Sequence, residues 1–293
     1  MKISHGLEYA AFWLLTHLVQ LIPARLADIV AVRLGKLSHL VLPSRRRIAV
    51  ANLRAAFREE KNEREIANIA KEVFVNIARA SIDFARQPVL RRREILDMVY
   101  RETGFEYVGE VLKEGHGLVF LTGHFGSWEL LGAWICAKGA PTDFLVGQQH
   151  NPYVDRLFND FRRALGVGII PVGVAARHVI RSLRANRIVA FLGDQHSASG
   201  GAIVDFFGRP ASTAKGAAAF ATKVGCPIIL GLLIRERFDR HRAIIMPPIY
   251  PPDSGDKDQD IIWMTQQHTS QLESMIRKYP ELWMWTHRRW KVR

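Results

Sequence analysis

From about residue 104 onward, apolar segments of strand length alternate with helical ones, and this alternation restricts the possible folds more than any other feature. Strands are predicted at Gly117–Leu121, Thr142–Val146, Gly168–Val172, Arg187–Leu192, Pro227–Ile234 and Ala243–Pro247. Helices are predicted between them at Trp128–Ala137, Pro152–Leu165, Ala175–Ala185 and Thr213–Val224. Such alternation is typical of a largely parallel sheet flanked by helices. We therefore predict an α/β domain over residues 59–293, with its site beyond the carboxyl ends of strands.

Residues 1–58 follow a different pattern. Apolar residues recur at helical spacing from Leu7 to Ile22, where Pro23 ends the helix, and a second apolar segment runs from Leu26 to Leu42. A helix that crosses a membrane needs about 20 consecutive apolar residues. The first segment fits this requirement only marginally, so it is more typical of an interfacial or shallowly inserted anchor. The alternative is a helical cap that packs on the domain core.

The distribution of charge favours an anionic membrane as the partner of this region. The chain has 41 Lys and Arg against 28 Asp and Glu, a net charge of +13. Within residues 1–58, nine basic residues, including Lys2, less two acidic ones leave +7. Arg45–Arg47 directly follow the apolar helices, as polybasic segments do beside anionic leaflets. We therefore predict that residues 1–58 form an N-terminal helical membrane-binding region.

The loop after the first predicted strand contains residues suited to acid–base chemistry. His124 lies between two glycines, and Glu129 follows five residues later, in the first turn of the next helix. This spacing allows the carboxylate to reach the imidazole. A carboxylate on one ring nitrogen fixes the tautomer, so the other nitrogen can accept a proton from a substrate hydroxyl. Taken alone, these two residues also fit a structural histidine.

The segment around His124, Gly-His-Phe-Gly-Ser-Trp-Glu, resembles the H-x4-(D/E) motif of bacterial lipid A biosynthesis (late) acyltransferases, within the lysophospholipid acyltransferase superfamily. Further blocks resemble this family in the same order along the chain. The first is Arg45–Leu53 with Phe57, and the second is Asn151–Pro152 with Asp155, Arg162 and Arg163. The third is Gly193–Gln195 with Phe206–Ala211, and the fourth is Trp285–Lys291. The resemblance covers nearly the entire chain, and the ordered set is more specific than the histidine motif alone.

The resemblance implies an acyltransferase on the cytoplasmic face of the inner membrane. Its donor would be a carrier thioester, acyl-ACP or acyl-CoA, with acyl carrier protein as a partner, and its acceptor a hydroxyl of a phosphorylated lipid A precursor. His124 is implied as the general base and Glu129 as the residue that orients and charges it. Because a thioester is already activated, we expect neither a metal nor another cofactor. We expect amides of the loop and the helix N-terminus to stabilise the oxyanion.

Eight residues are predicted to bind substrate: Arg162, Arg163, Asp194, Gln195, Phe207, Gly208, Arg288 and Arg289. Adjacent helical residues point about 100° apart, so only one of the first two is expected to hold a phosphate, and Arg162 is favoured. Asp194 and Gln195 follow a strand, where sites form.

The other candidates depend on composition. Phe207 and Gly208 belong to a block that could line an acyl-chain slot, although core packing is the simpler interpretation of the phenylalanine. Arg288 and Arg289 lie in a Trp-rich basic tail, which also contains Arg293 and suits headgroups and phosphate. His196 stands where the family often has a second acid, so a role for a second acid is in doubt.

Three alternatives remain open at this stage. Within the same class, the acceptor could be a lysophospholipid or a mannosylated phosphoinositide, with acyl-CoA as the donor. A non-catalytic basic protein could bind membrane or nucleic acid, but few base-stacking aromatic residues lie near the basic run Arg91–Arg93, so we expect no nucleic-acid partner. A hydrolase could use the same histidine, but the chain has neither a G-x-S-x-G nor an HExxH motif.

Overall fold

The computed structural model describes residues 3–291, so Lys2 and Arg293 lie outside it. Its helices are α1 Ile3–Leu21, α2 Ala24–Val41, α3 Pro43–Phe57, α4 Glu63–Arg86, α5 Arg92–Met98, α6 Glu106–Lys113, α7 Trp128–Ala137, α8 Pro152–Ala164, α9 Ala175–Arg184, α10 Gly216–Val224 and α11 Lys257–Lys278. Its strands are β1 Val99–Thr103, β2 Leu118–Thr122, β3 Thr142–Val146, β4 Gly168–Pro171, β5 Ile188–Leu192, β6 Ala202–Asp205, β7 Pro210–Thr213, β8 Ile228–Arg237 and β9 Arg240–Ile245.

Seven of these strands form one sheet, in the order β1-β9-β8-β2-β5-β3-β4. All neighbours are parallel except β8 and β9, which form an antiparallel pair. Strands β6 and β7 form a separate antiparallel pair. The predicted α/β fold with a largely parallel sheet flanked by helices is therefore confirmed for the described part of the chain.

Both faces of the sheet are buried, as expected for parallel strands covered by helices. Along β2, Val119 and Leu121 join the larger core cluster, which α3, α4, α10 and α11 complete. Leu118 and Phe120 point to the opposite face and join a second cluster with residues of α5, α6 and α7. This arrangement places β2 in the middle of the seven-stranded sheet, packed on both faces.

The N-terminal helices differ in how far they join this core. In α3, Leu53 and Phe57 are fully buried in the larger cluster. Helix α2 lies against α4 along a stripe of small residues, where a Cβ on Gly35 would lie 2.5 Å from the Cα of Val75. Asp28 of α2 accepts hydrogen bonds from Arg79 of α4 at 2.7 and 3.0 Å. The division of the chain at residue 58 remains a prediction.

The outer faces of α1 and α2 are apolar. Their exposed large hydrophobic residues are Leu7, Phe12, Trp13, Leu14, Leu15, Leu18, Leu21, Leu26, Ile29, Leu34, Leu37, Leu40 and Val41. Within residues 3–291, none of the helices combines the length and apolarity that a membrane crossing requires. The predicted membrane-binding role of this region therefore remains a prediction.

Three strands were not predicted from the sequence: β1, β6 and β7. Strand β1 joins the sheet edge beside β9, and its exposed residues give no apolar signal. Thr213, predicted as the first residue of a helix, instead pairs with Ala202 in the β6–β7 hairpin. Helix α10 therefore begins at Gly216.

Candidate active site

His124 and Asp194 meet because their strands are parallel neighbours. Thr122 at the end of β2 pairs with Leu192 at the end of β5. Each strand is followed by a glycine and then by the polar residue, so the two side chains leave the same edge of the sheet at the same level. The edge at which they meet is where α/β proteins form their sites.

The imidazole of His124 is held by Asp194 rather than by Glu129. Its Nδ1 atom lies 2.9 Å from Oδ1 of Asp194, and its main-chain N–H donates to Oδ2 of the same carboxylate at 2.9 Å. The indole Nε1–H of Trp283 donates to Oδ2 as well, at 2.8 Å. Asp194 is buried, whereas the His124 side chain keeps 18% of its surface exposed. The ring is therefore fixed from one side, and Nε2 is the ring nitrogen that Asp194 does not hold.

The electrostatics of this pair favour a charged carboxylate and a basic imidazole. Burial raises the pKa of Asp194, but the charge of His124 and the hydrogen bonds from His124 and Trp283 outweigh it and bring the pKa to about 2. Burial lowers the pKa of His124, but the charge and hydrogen bond of Asp194, with the charge of Glu129, outweigh it, so this pKa is raised. The arrangement therefore suits a general base whose proton affinity comes from a buried carboxylate.

Glu129 pairs with Arg162, which corrects the prediction that its carboxylate reaches the imidazole. The Nε and Nη2 atoms of Arg162 donate to the two carboxylate oxygens at 3.1 and 2.5 Å, and Nη1 donates to Asn159. Both partners are largely buried, with about a seventh of each side chain exposed. Glu129 acts on His124 through its charge, because Asp194 already holds Nδ1. Arg162 faces the site, but its donors hold Glu129 and Asn159 rather than a free phosphate position.

The loop that carries His124 is locked by main-chain contacts. The N–H groups of Phe125 and Gly126 donate to the carbonyl oxygens of Gly123 and Leu282 at 2.7 and 2.9 Å. Gly126 has a φ of +55°, and a Cβ there would lie 2.1 Å from the carbonyl oxygen of Leu233, so only glycine fits.

These contacts restrict which groups can stabilise an oxyanion. The loop amides expected for this task, those of His124, Phe125 and Gly126, are already used within the protein. The amides in the first turn of α7 have no acceptor inside their own helix. The side-chain amide of Gln195 lies 3.4 and 3.5 Å from the two ring nitrogens of His124. The α7 amides and Gln195 are therefore the candidate oxyanion donors.

A cavity of about 700 Å³ opens beside His124. Polar residues of the site, Glu129, Arg162 and Gln195 among them, line it together with apolar ones. On the sheet, Ala190 is the register partner of Phe120 on one side and of Phe144 on the other, and all three line the cavity. Its volume is within the range typical of small-molecule sites.

Helix α1 forms part of the cavity wall. Phe12 and Thr16 line it, and the ring of Phe12 lies 6.0 Å from that of Phe158 on α8. At the start of α8, the side-chain amide of Asn151 donates to the carbonyl oxygen of His5 and to the carboxylate of Glu8, both at 2.9 Å. The N-terminal region and the candidate site are therefore one continuous structure.

Of the eight predicted substrate-binding residues, only Arg162 and Gln195 line this cavity. Arg163 is exposed and pairs with Asp160 at 2.9 Å. Phe207 is buried in the larger core cluster, with its ring 5.4 Å from that of Phe57. Neither Phe207 nor Gly208 lines the cavity beside His124. The acyl-slot interpretation of this block is therefore not supported, because its phenylalanines pack in the core.

Arg288 and Arg289 have different environments. Arg288 is exposed and lines a second cavity, together with Lys291. Arg289 is buried, and its guanidinium donates to the carbonyl oxygen of Ser212 at 2.8 Å and to the hydroxyl of Thr213 at 2.5 Å. Only Arg288 is therefore placed to contact a ligand directly.

Sequence reasoning missed a buried network behind the site. The hydroxyl of Ser127, the residue before α7, donates to the carboxylate of Asp83 on α4. Arg235 of β8 donates to the same carboxylate and, at 3.0 Å, to the Ser127 hydroxyl. This network ties α4 to the start of α7. No local pattern could reveal it, because its members are far apart in the chain.

The chain is similar to known proteins along nearly its whole length. The profile of the family described as bacterial lipid A biosynthesis acyltransferase matches residues 2–292. The chain is 24% identical over 276 residues to the Lipid A biosynthesis myristoyltransferase of Escherichia coli (strain K12), covering 94% of this chain and 84% of the relative. It is 22% identical over 278 residues to the Lipid A biosynthesis acyltransferase 2 of Shigella flexneri, covering 94% and 87%. In the described residues, no group of three or more His, Cys, Asp or Glu side chains could hold a metal ion.

Proposed function

The chain belongs to the bacterial lipid A biosynthesis acyltransferase family and is an acyltransferase, and from this premise we propose that it transfers a fatty acyl chain from a carrier thioester to a hydroxyl of a lipid A precursor. The observation that carries the proposal is the contact between buried Asp194 and partly exposed His124, which faces a largely apolar cavity at the carboxyl edge of a parallel sheet. Acyl carrier protein is the proposed carrier, and the reaction takes place at the cytoplasmic face of the inner membrane.

His124 is the general base of the proposed reaction. Its Nε2 atom accepts the proton of the acceptor hydroxyl as that oxygen attacks the thioester carbonyl carbon. The C–O bond forms, and the carbonyl oxygen becomes an oxyanion. When the intermediate collapses, the C–S bond breaks, and the sulfur leaves with the proton from Nε2. Asp194 is a positioning residue, because its hydrogen bond fixes the tautomer and stabilises the imidazolium.

The remaining residues of the site stabilise charge and geometry. Gln195 and the first-turn amides of α7 stabilise the oxyanion in this proposal, which is the usual role of such donors in acyl transfer. Glu129 adds negative charge near the imidazolium, and Arg162 holds that carboxylate in place through two hydrogen bonds. Because the thioester is already activated, this route involves neither a covalent acyl–enzyme intermediate nor a metal.

The apolar part of the cavity accommodates the acyl chain of the donor. The aromatic side chains of Phe120 and Phe144 flank Ala190, so the surface over β2, β5 and β3 forms a groove. Burying an alkyl chain there stabilises the complex by about 0.8 kcal/mol per methylene group. The groove therefore favours a fatty thioester over a short one.

The N-terminal helices hold the enzyme on the membrane. Soluble monomers rarely expose a large continuous apolar surface, and such surfaces mark interaction sites. The exposed apolar residues of α1 and α2, with the positive charge of residues 1–58, suit an anionic bilayer. Since α1 also lines the cavity, a lipid acceptor and the acyl chain would enter the site from the membrane side.

Mass spectrometry of lipid A from cells with and without the gene tests the proposal. The expected result is a loss of one acyl chain from lipid A when the gene is deleted, with recovery by the wild-type gene but not by His124→Ala. Unchanged lipid A with altered phospholipid acylation would contradict the proposed acceptor and support the lysophospholipid alternative.

A further inference from the structure

A second cavity, of about 630 Å³, lies next to the candidate active site. It is lined by His196, Ser197, Ala198, Ser212, Arg288, Trp290 and Lys291. Gln195 lines the cavity beside His124, and the next residue, His196, lines the second cavity. Consecutive residues of the chain therefore line the two cavities. A ligand in the second cavity would therefore lie close to the reacting groups.

The charge of the second cavity has one sign. Its charged lining residues, Arg288 and Lys291, are basic, and among its described lining residues none is acidic. No ion pair between described residues involves Arg288, Arg289 or Lys291. Many arginines of this chain are paired with carboxylates, whereas the two cations that line this cavity, Arg288 and Lys291, are left for an anion from outside.

A buried cation behind the lining strengthens this field. Arg289 is 2% exposed, and it bonds to the carbonyl oxygen of Ser212, a lining residue. Burial lowers its pKa to about 10, although the charge of Asp194 acts in the opposite direction, so the guanidinium remains charged at neutral pH. Uncompensated buried charge is costly. An anion bound in the cavity would reduce this cost.

The cavity is also structurally connected to the catalytic loop. The main-chain N–H of Met284 donates to the carbonyl oxygen of His124 at 2.9 Å, which fixes the C-terminal segment across that loop. On the other wall, His196 forms a bridge with Thr213 of β7. Arg288 and Lys291 therefore lie at a defined position relative to His124, as an element that orients a substrate must.

From these observations we propose that the second cavity binds a phosphate group of one of the two substrates, with Arg288 and Lys291 as its direct contacts and Arg289 as the cation behind them. This inference rests on the proposed function and names the substrate group that the cavity holds. Two substrates carry such a group: the phosphorylated glycolipid acceptor and the phosphopantetheine arm of the donor. Either group, bound here, would hold its substrate beside the cavity that contains His124.

Phosphate binding is measured first without catalysis. Line broadening of the ³¹P signal of inorganic phosphate is compared between the wild-type protein and Arg288→Gln/Lys291→Gln. Arg93→Gln/Arg156→Gln is the matched control, because it removes two positive charges from exposed side chains elsewhere in the chain. We expect broadening by the wild type and the control, and its loss in Arg288→Gln/Lys291→Gln. Equal broadening in all three proteins would overturn the proposal.

Kinetic measurements then identify the substrate. If the cavity binds the acceptor, Arg288→Gln raises the KM of the phosphorylated acceptor about tenfold, the usual effect of losing a charge-assisted contact, and leaves that of the dephosphorylated acceptor unchanged. If it binds the donor, the KM of acyl-ACP rises, whereas that of an acyl N-acetylcysteamine thioester, which has no phosphate, does not. Arg288→Lys recovers part of the loss in either case.

The outcomes separate this inference from the proposed function. If the wild-type enzyme transfers the acyl chain but Arg288→Gln changes no KM, or raises it equally for phosphorylated and phosphate-free substrates, the phosphate site is wrong and the proposed function stands. If the wild-type enzyme transfers no acyl chain to the lipid A precursor, the proposed function itself fails.

Discussion

The Nδ1 atom of His124 lies 2.9 Å from Oδ1 of Asp194, a residue 70 positions away in the chain. The carboxylate five residues after the histidine, Glu129, instead forms a two-point ion pair with Arg162. Two buried carboxylates thus act on one imidazole in different ways. Asp194 fixes its orientation by hydrogen bonding, and Glu129 contributes charge.

This division predicts a change in the titration of His124. In Asp194→Asn, the charge that raises the pKa of His124 is removed and the lowering by burial remains, so the pKa should fall below 6.5. NMR titration of the imidazole resonances measures it. Asp160→Asn, an exposed acid, is the control and should leave it unchanged. An unaltered His124 pKa in Asp194→Asn would contradict the pairing.

The same shifts predict how stability depends on pH. The pKa of Asp194 is about 2 in the folded state, against an ordinary value of 3.8. Its contribution to the free energy of unfolding is therefore present above pH 3.8 and is lost as the pH falls toward 2. The pKa of His124 is raised in the folded state. The contribution of His124 to the free energy of unfolding is therefore full below pH 6.5 and is lost as the pH rises through the folded-state pKa. Urea unfolding of wild type and Asp194→Asn over this range checks both signs.

The Glu129–Arg162 pair predicts a non-additive effect on stability. Arg162→Met leaves a largely buried carboxylate without its partner and should cost about 3–5 kcal/mol in the free energy of unfolding. The double variant with Glu129→Gln should recover much of this loss, because no uncompensated charge remains. Urea unfolding of both single variants and the double variant gives the coupling energy. Additive losses would show that the two side chains do not depend on each other.

The groove over Ala190 predicts a change in acyl-chain preference. Ala190→Leu adds three carbon atoms between Phe120 and Phe144, so the preferred thioester should become shorter by a few methylene groups, each worth about 0.8 kcal/mol of burial. Ala67→Leu, on the exposed face of α4, is the control. The assay compares kcat/KM over a series of acyl thioesters. An unchanged preference would place the acyl chain elsewhere.

Membrane binding can be tested by point substitutions. A deletion of the N-terminal helices would also remove contacts with the core and part of the cavity wall. Leu15→Asn, Leu37→Asn and Leu40→Asn together remove exposed apolar surface, worth about 1.5–3 kcal/mol per leucine when buried. Co-sedimentation with anionic vesicles should fall more than tenfold, whereas Val89→Asn with Ile203→Asn, equally exposed, should have no effect. High salt should release the wild type poorly. Complete release by moderate salt would contradict apolar insertion.

The central strands and the histidine of the candidate site could be predicted from the sequence. The carboxylate that holds this histidine could not. The apolar segments around Val119 and Val189 are visible as periodic patterns, so β2 and β5 were predicted. Strand order is a property of the whole fold, so nothing local indicated that these two strands are neighbours. Asp194 was therefore treated as a substrate residue, and Glu129, the acid nearest in sequence, was assigned to His124.

The misplaced substrate residues have a similar cause. Composition marks an arginine as suited to phosphate, but only the packing shows whether its donors are free. Arg162 and Arg289 are bonded inside the protein, whereas Arg288 reaches a cavity. Strands β6 and β7 were not predicted, because each is only four residues long and lacks a continuous apolar run.

The central claim is tested most directly by the rate at which purified protein transfers an acyl chain from acyl-ACP to a lipid A precursor, followed by mass spectrometry of the lipid product. The wild type and His116→Ala, a change at an exposed histidine, should add one acyl chain at equal rates. His124→Ala should be slower by about two to four orders of magnitude, the usual contribution of a general base. No acylated product from the wild type, or more than about a tenth of its rate retained by His124→Ala, would contradict the account.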